Sequence, residues 1–90
     1  MALCKEQLFE NITPVIYDSL AEKVKEETGV VISGLQGEAS AQGYTIAYRF
    51  DPGTDILSLQ CTDAPRPERW FPSKIEAAIA KMVQDSLPTK

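Results

Sequence analysis

Hydrophobic and polar residues alternate along this chain with two different periods, and the changes of period mark its elements. Thr13-Pro14 is a helix start, because a threonine hydroxyl can cap the first turn and proline suits the first helical position. Beyond it Ile16, Leu20 and Val24 recur at fourfold spacing with Tyr17 and Ala21 beside them, while Glu22, Lys23, Lys25, Glu26 and Glu27 take the other side. Lys23 and Glu27 are spaced to pair across one turn. Gly29 suits the left-handed residue that ends a helix. Leu8 and Ile12 extend the fourfold series upstream. A helix running through Pro14 would lose a hydrogen bond and clash with the ring, so the spacing predicts a kink or a short separate helix before Thr13.

The period then shortens. Val30, Val31 and Ile32 are β-branched and predict a strand, bulged or bent where Gly34 and Gly37 interrupt it. Tyr44, Ile46, Tyr48 and Phe50 alternate with Thr45, Ala47 and Arg49 as a second strand with one apolar face. Asp51-Pro52-Gly53-Thr54 predicts a turn in which proline presets φ and Gly53 takes the positive φ. A third strand places Leu57, Leu59 and Cys61 on one face and Ser58, Gln60 and Thr62 on the other, completing a hairpin. Asp63 to Phe71, with Pro65 and Pro67, reads as an extended connector. A last helix opens at Pro72 or Ser73, with a stripe of Ile75, Ala78, Ile79, Met82 and Leu87. Lys74, Ala77, Lys81, Gln84 and Asp85 face water. Pro88 stops this helix, leaving Thr89-Lys90 as a loose end.

These elements predict a single α+β domain over residues 1–90, in the order α-β-β-β-α. Its sheet is a three-stranded antiparallel meander with both helices packed on one face. The expected core is Leu20, Val24, Ile46, Tyr48, Leu57, Leu59, Ile75, Ile79 and Met82. The opposite sheet face, Thr45, Ala47, Arg49, Ser58, Gln60 and Thr62, is polar enough to be exposed.

Composition narrows the function classes. The chain has 90 residues, 43% hydrophobic, so it carries the apolar surface a folded core requires. A formal net charge of −4 disfavours nucleic acid and anionic membranes as partners. No apolar run approaches the roughly 20 residues of a membrane span, and Met1 to Glu6 turns charged before a signal-peptide core could form, so a cytoplasmic location is expected. Histidine is absent, which removes the usual base for activating Ser or Cys. The two cysteines, Cys4 and Cys61, are expected as free thiols in a reducing compartment, and they are too few for a zinc site. No catalytic residue, cofactor or metal is expected.

Several short motifs resolve into local structure. Gly34-Leu35-Gln36-Gly37 has the glycine spacing of the backbone-clamping loop of KH domains, but Glu38 follows and no basic residue is near, so a bent strand is expected. The Gly-Lys-Ser/Thr end of a nucleotide loop is missing. Asn11-Ile12-Thr13 is a formal glycosylation sequon followed by Pro14, and Asp51 and Asp55 have turn rather than EF-hand spacing. The element order resembles that of double-stranded-RNA-binding domains. The resemblance implies an RNA grip at the start of the last helix, where that family carries a basic run. Ser73-Lys74-Ile75-Glu76-Ala77-Ala78 offers one lysine there, with Glu76 opposing it.

The most informative segment is Arg66-Pro67-Glu68-Arg69-Trp70-Phe71-Pro72, which holds the only Trp of the chain. Trp and Arg dominate interface hot spots, and a proline-stiffened backbone loses little entropy on binding. Arg66, Arg69, Trp70 and Phe71 are therefore the candidate interaction surface. The competing role for Trp70 or Phe71 is a staple covering the end of the core. The expected function is a small non-catalytic protein-interaction module that self-associates or binds another protein, aided by open sheet edges. The alternative is a small-molecule site between sheet and helices, lined by Tyr44, Tyr48 and Trp70. Nucleic-acid binding is the third.

Overall fold

A computed structural model of the chain describes residues 3–87. Thr13 caps the first helix, α1 (Pro14–Thr28), by accepting from the Ile16 amide at 3.3 Å. Gly29 ends it at φ 81°, its N–H bonded to the Lys25 carbonyl. The buried face is Ile16, Tyr17, Leu20 and Val24, as the fourfold spacing predicts. The last helix, α2, runs from Pro72 to Ser86 and buries Ile79 and Val83. Ile75 and Met82 are half-buried against the core, whereas Ala78, expected in the stripe, is exposed. Pro88 and the tail after it lie outside the described residues.

The sheet has four strands rather than three. β1 (Gln7–Phe9) precedes α1, and β2 (Gln36–Ala41), β3 (Tyr44–Asp51) and β4 (Ile56–Asp63) follow it in an antiparallel order β1-β4-β3-β2. The α-β-β-β-α order is therefore present with one short strand added in front. The expected helical turn before Thr13 is replaced by this strand. Leu8 does not share a helix face with Ile12: it pairs with Ser58 and is 66% exposed, while Ile12 is fully buried. Long-range pairing with β4 outweighs the weak local helical signal.

The strand expected at Val30–Ile32 is also corrected. Val30 enters the core at 0% exposure, but the segment has no ladder partner. Two tyrosines hold the loop instead. The Tyr48 hydroxyl donates to the Ser33 carbonyl at 2.7 Å and accepts from the Ser33 amide, and the Tyr17 hydroxyl donates to the Gly34 carbonyl at 2.7 Å. Tyr17 stacks on Phe50 with centroids 4.5 Å apart. Burial pushes the Tyr17 hydroxyl up to about 12, with Tyr48 and Asp18 adding smaller effects. Gly34 turns the chain at φ 78°, and the ladder starts only at Gln36.

Gln42 and Gly43, at φ 52° and 88°, form the two-residue turn between β2 and β3 that suits the twist of a hairpin. A Cβ on Gly43 would sit 2.9 Å from the Pro65 side chain, so this turn lies against the connector that follows β4. In the β3–β4 turn the Asp51 carboxylate accepts from the Gly53 amide at 2.9 Å. The left-handed residue there is Asp55 at φ 58°, not Gly53 as expected.

Both helices pack on the sheet face formed by Ile46, Tyr48, Phe50, Leu57, Leu59 and Cys61, in one buried cluster with Cys4, Val30 and Ala64. The outer face is not uniformly exposed. Ser58 is buried because its hydroxyl donates to the Glu6 carboxylate, and the Gln60 side chain donates to the Cys4 carbonyl at 2.8 Å. No helix among the described residues is long and apolar enough to cross a membrane.

Candidate functional site

The chain leaves β4 through Asp63, whose carboxylate accepts from the Ala64 amide, and Ala64 then plugs the core at 3% exposure. From there the backbone bonds form a continuous ladder into α2. Arg69 N–H donates to the Pro65 carbonyl, Trp70 to Pro67, Phe71 to Glu68 and Lys74 to Phe71, all at 2.9–3.0 Å. Glu68–Trp70 is a turn of 3₁₀ helix. The expected extended connector is thus a tight, hydrogen-bonded bend. Its prolines lack the amide that such a bend would otherwise have to satisfy.

This bend sets the candidate surface residues. Trp70 is 65% and Phe71 48% exposed, and Arg66 and Arg69 are also exposed. Trp70 is therefore not a cover for the core. Arg69 lies 3.5 Å from the Asp63 carboxylate, an exposed pair of the kind that contributes about 0–1 kcal/mol. The Lys74 ammonium sits 5.2 Å from the centroid of the Phe71 ring, holding that ring by cation–π attraction.

Beside the bend, an open groove of about 620 Å³ runs between the two helices and the sheet. Its floor is Tyr44, Ile46 and Cys61, and its α2 wall includes Ile75, Ala78 and Met82. Three cations, Lys23, Lys74 and Lys81, and three anions, Glu27, Glu68 and Asp85, ring the opening. Their balance gives the groove no net attraction for a phosphate or a simple ammonium. Tyr44 lines it as expected, and burial, then Glu68, then Cys61, raise its hydroxyl above the usual value. Tyr48 instead points its hydroxyl at Ser33, and Trp70 stands outside, while Phe71 reaches the rim. Apart from Tyr44 and the connector residues Pro67, Glu68 and Phe71, the groove residues were visible in the sequence only as core or as wet helix positions. Only Ala78, too small to fill the space between the helices, signals an opening.

The structure brings Arg69 to Asp63 and Phe71 to Lys74, and it leaves Arg66 and Trp70 projecting. Among the described residues no three Cys, Asp or Glu side chains come together as metal ligands would. No protein-family model matches the chain, and no curated protein is significantly similar to it.

Proposed function

We propose that this chain is a small non-catalytic interaction module of the cytoplasm that self-associates through the bend Arg66–Phe71. The observation that carries the reading is Trp70: a large aromatic 65% exposed on a backbone already fixed by hydrogen bonds. Such a residue removes a large apolar area from water on binding and loses little freedom in doing so. The Gly43 turn packs on Pro65, so the open edge of β2 ends beside the same bend and extends the surface.

The test is sedimentation or light scattering across protein concentration. Trp70→Ala should weaken association by at least about 2 kcal/mol while leaving the circular dichroism unchanged. A wild-type chain that stays monomeric at high micromolar concentration overturns self-association. The groove favours a second reading, a small-molecule site for a neutral, largely apolar ligand. A thermal-shift hit from a metabolite panel supports it only if Ala78→Trp, which fills the groove, abolishes the shift.

A further inference from the structure

Two cysteines 57 positions apart in sequence meet where the segment before β1 runs beside the inner strand β4. The Cys4 amide donates to the Cys61 carbonyl at 3.0 Å, directly after the Leu3 amide bonds the Thr62 carbonyl. That backbone bond brings the two residues side by side, within reach of the Cα separation of about 4.4–6.8 Å that a disulfide spans. The two thiols lie close enough to influence each other's ionisation, and both side chains are buried in the same core cluster, at 5% and 1% exposure. Cys61 also lines the floor of the groove, so a small opening of the groove is enough to bring a reagent to it. Cys4 is not among the residues that line the groove, and its thiol donates at 3.7 Å to the Pro72 carbonyl at the start of α2.

We infer that Cys4 and Cys61 are a redox pair, which a small disulfide of the glutathione type converts in the folded chain to an internal bridge. The Cys61 thiolate attacks one sulfur of the oxidant, whose S–S bond breaks to release one thiol. The Cys4 thiolate then attacks Cys61 sulfur in the mixed disulfide and releases the second thiol. The two cysteine protons end on the two departing thiols. The pair loses two electrons and the oxidant gains them.

The order of attack follows from the surroundings of each sulfur. Burial raises both thiols, and Cys4 is pushed up to about 11 with Cys61 and Glu76 adding to the effect. On Cys61 the rise is opposed in part by the Asp63 backbone, Cys4 and the Thr45 backbone, although its thiol also donates to the Asp63 carbonyl at 3.1 Å. Cys61 therefore holds negative charge more readily and attacks first. The Asp63 carboxylate also repels that charge, so closure is slow at neutral pH and faster in mild alkali.

Oxidised glutathione at about pH 8, followed by mass spectrometry without reductant, tests the pair. The expected product is a monomer lighter by two hydrogens, with the peptides of Cys4 and Cys61 linked. Its melting temperature should rise by on the order of 10 °C and return with dithiothreitol. Cys4→Ser should stop at a stable glutathione adduct on Cys61. A lasting adduct on the wild-type chain, a disulfide-linked dimer, or thiols that stay free while the urea-unfolded chain oxidises would each overturn the inference. A bridged product that melts no higher would overturn it too. These outcomes are read on the wild-type chain, so they stand even if a variant fails to fold.

Discussion

Leu59 shows how much a single side chain carries in a fold of this size. It is 2% exposed on the face of β4 that both helices cover. Leu59→Ala should lower stability by about 2–5 kcal/mol in urea or thermal unfolding, and a loss below about half a kilocalorie would place it outside the core. Trp70 is the opposite case: the largest side chain in the molecule, it contributes no comparable burial. That contrast was half legible in the sequence. Strict alternation identified Leu57, Leu59 and Cys61 as inward, because a period of two leaves no intermediate positions. On α2 the period of 3.6 leaves flanks that lean either way, and only the tertiary packing decides that Val83 goes in while Ala78 stays out.

At the scale of elements, the segment Ser33–Gly34 depends on two phenols. The neutral Tyr17 hydroxyl donates to Gly34, and ionisation would aim a negative oxygen at that carbonyl. Its value of about 12 in the fold exceeds the usual 10.0, so the unfolded chain loses the proton first. The stabilisation is complete below about pH 10 and is lost as pH rises towards 12. Cys4, raised from 9.0 to about 11, acts in the same sense over a slightly lower window. The melting temperature should fall steeply above about pH 10. Tyr17→Phe should cost about 1 kcal/mol at neutral pH and flatten that alkaline slope, and an unchanged slope would assign it to other groups. The elements with local signals were readable: α1 from Thr13 and Gly29, the β3–β4 hairpin from its turn residues. The others answer to distant partners. Gln7–Phe9 becomes a strand only because β4 lies beside it. Val30–Ile32, with strong β propensity, stays a loop between the Thr28 hydroxyl, which takes the Val30 amide, and Ser33–Gly34, whose backbone is held by two tyrosines, while the poor strand formers of Gln36–Ala41 are held by β3.

For the molecule as a whole, acidity and shape lead to different expectations. A net charge of −4, and a start to α2 with Lys74 as its one cation, predict no affinity for duplex RNA tighter than micromolar at physiological salt. Sub-micromolar binding in a filter or anisotropy assay would revive the reading that the element order suggested. Self-association is expected to stop at a defined size, and the reason lies in the two rims of the sheet. β1 closes one rim with three residues, too few to recruit another strand, whereas β2 leaves six at the other. Two copies joined β2 to β2 about a twofold axis use up the long rim of each and present only short ones outward. Growth then terminates at the pair, so light scattering at rising concentration should level off at twice the chain mass. Fibres or an open-ended series of species would mean that the three residues of β1 do not protect their rim.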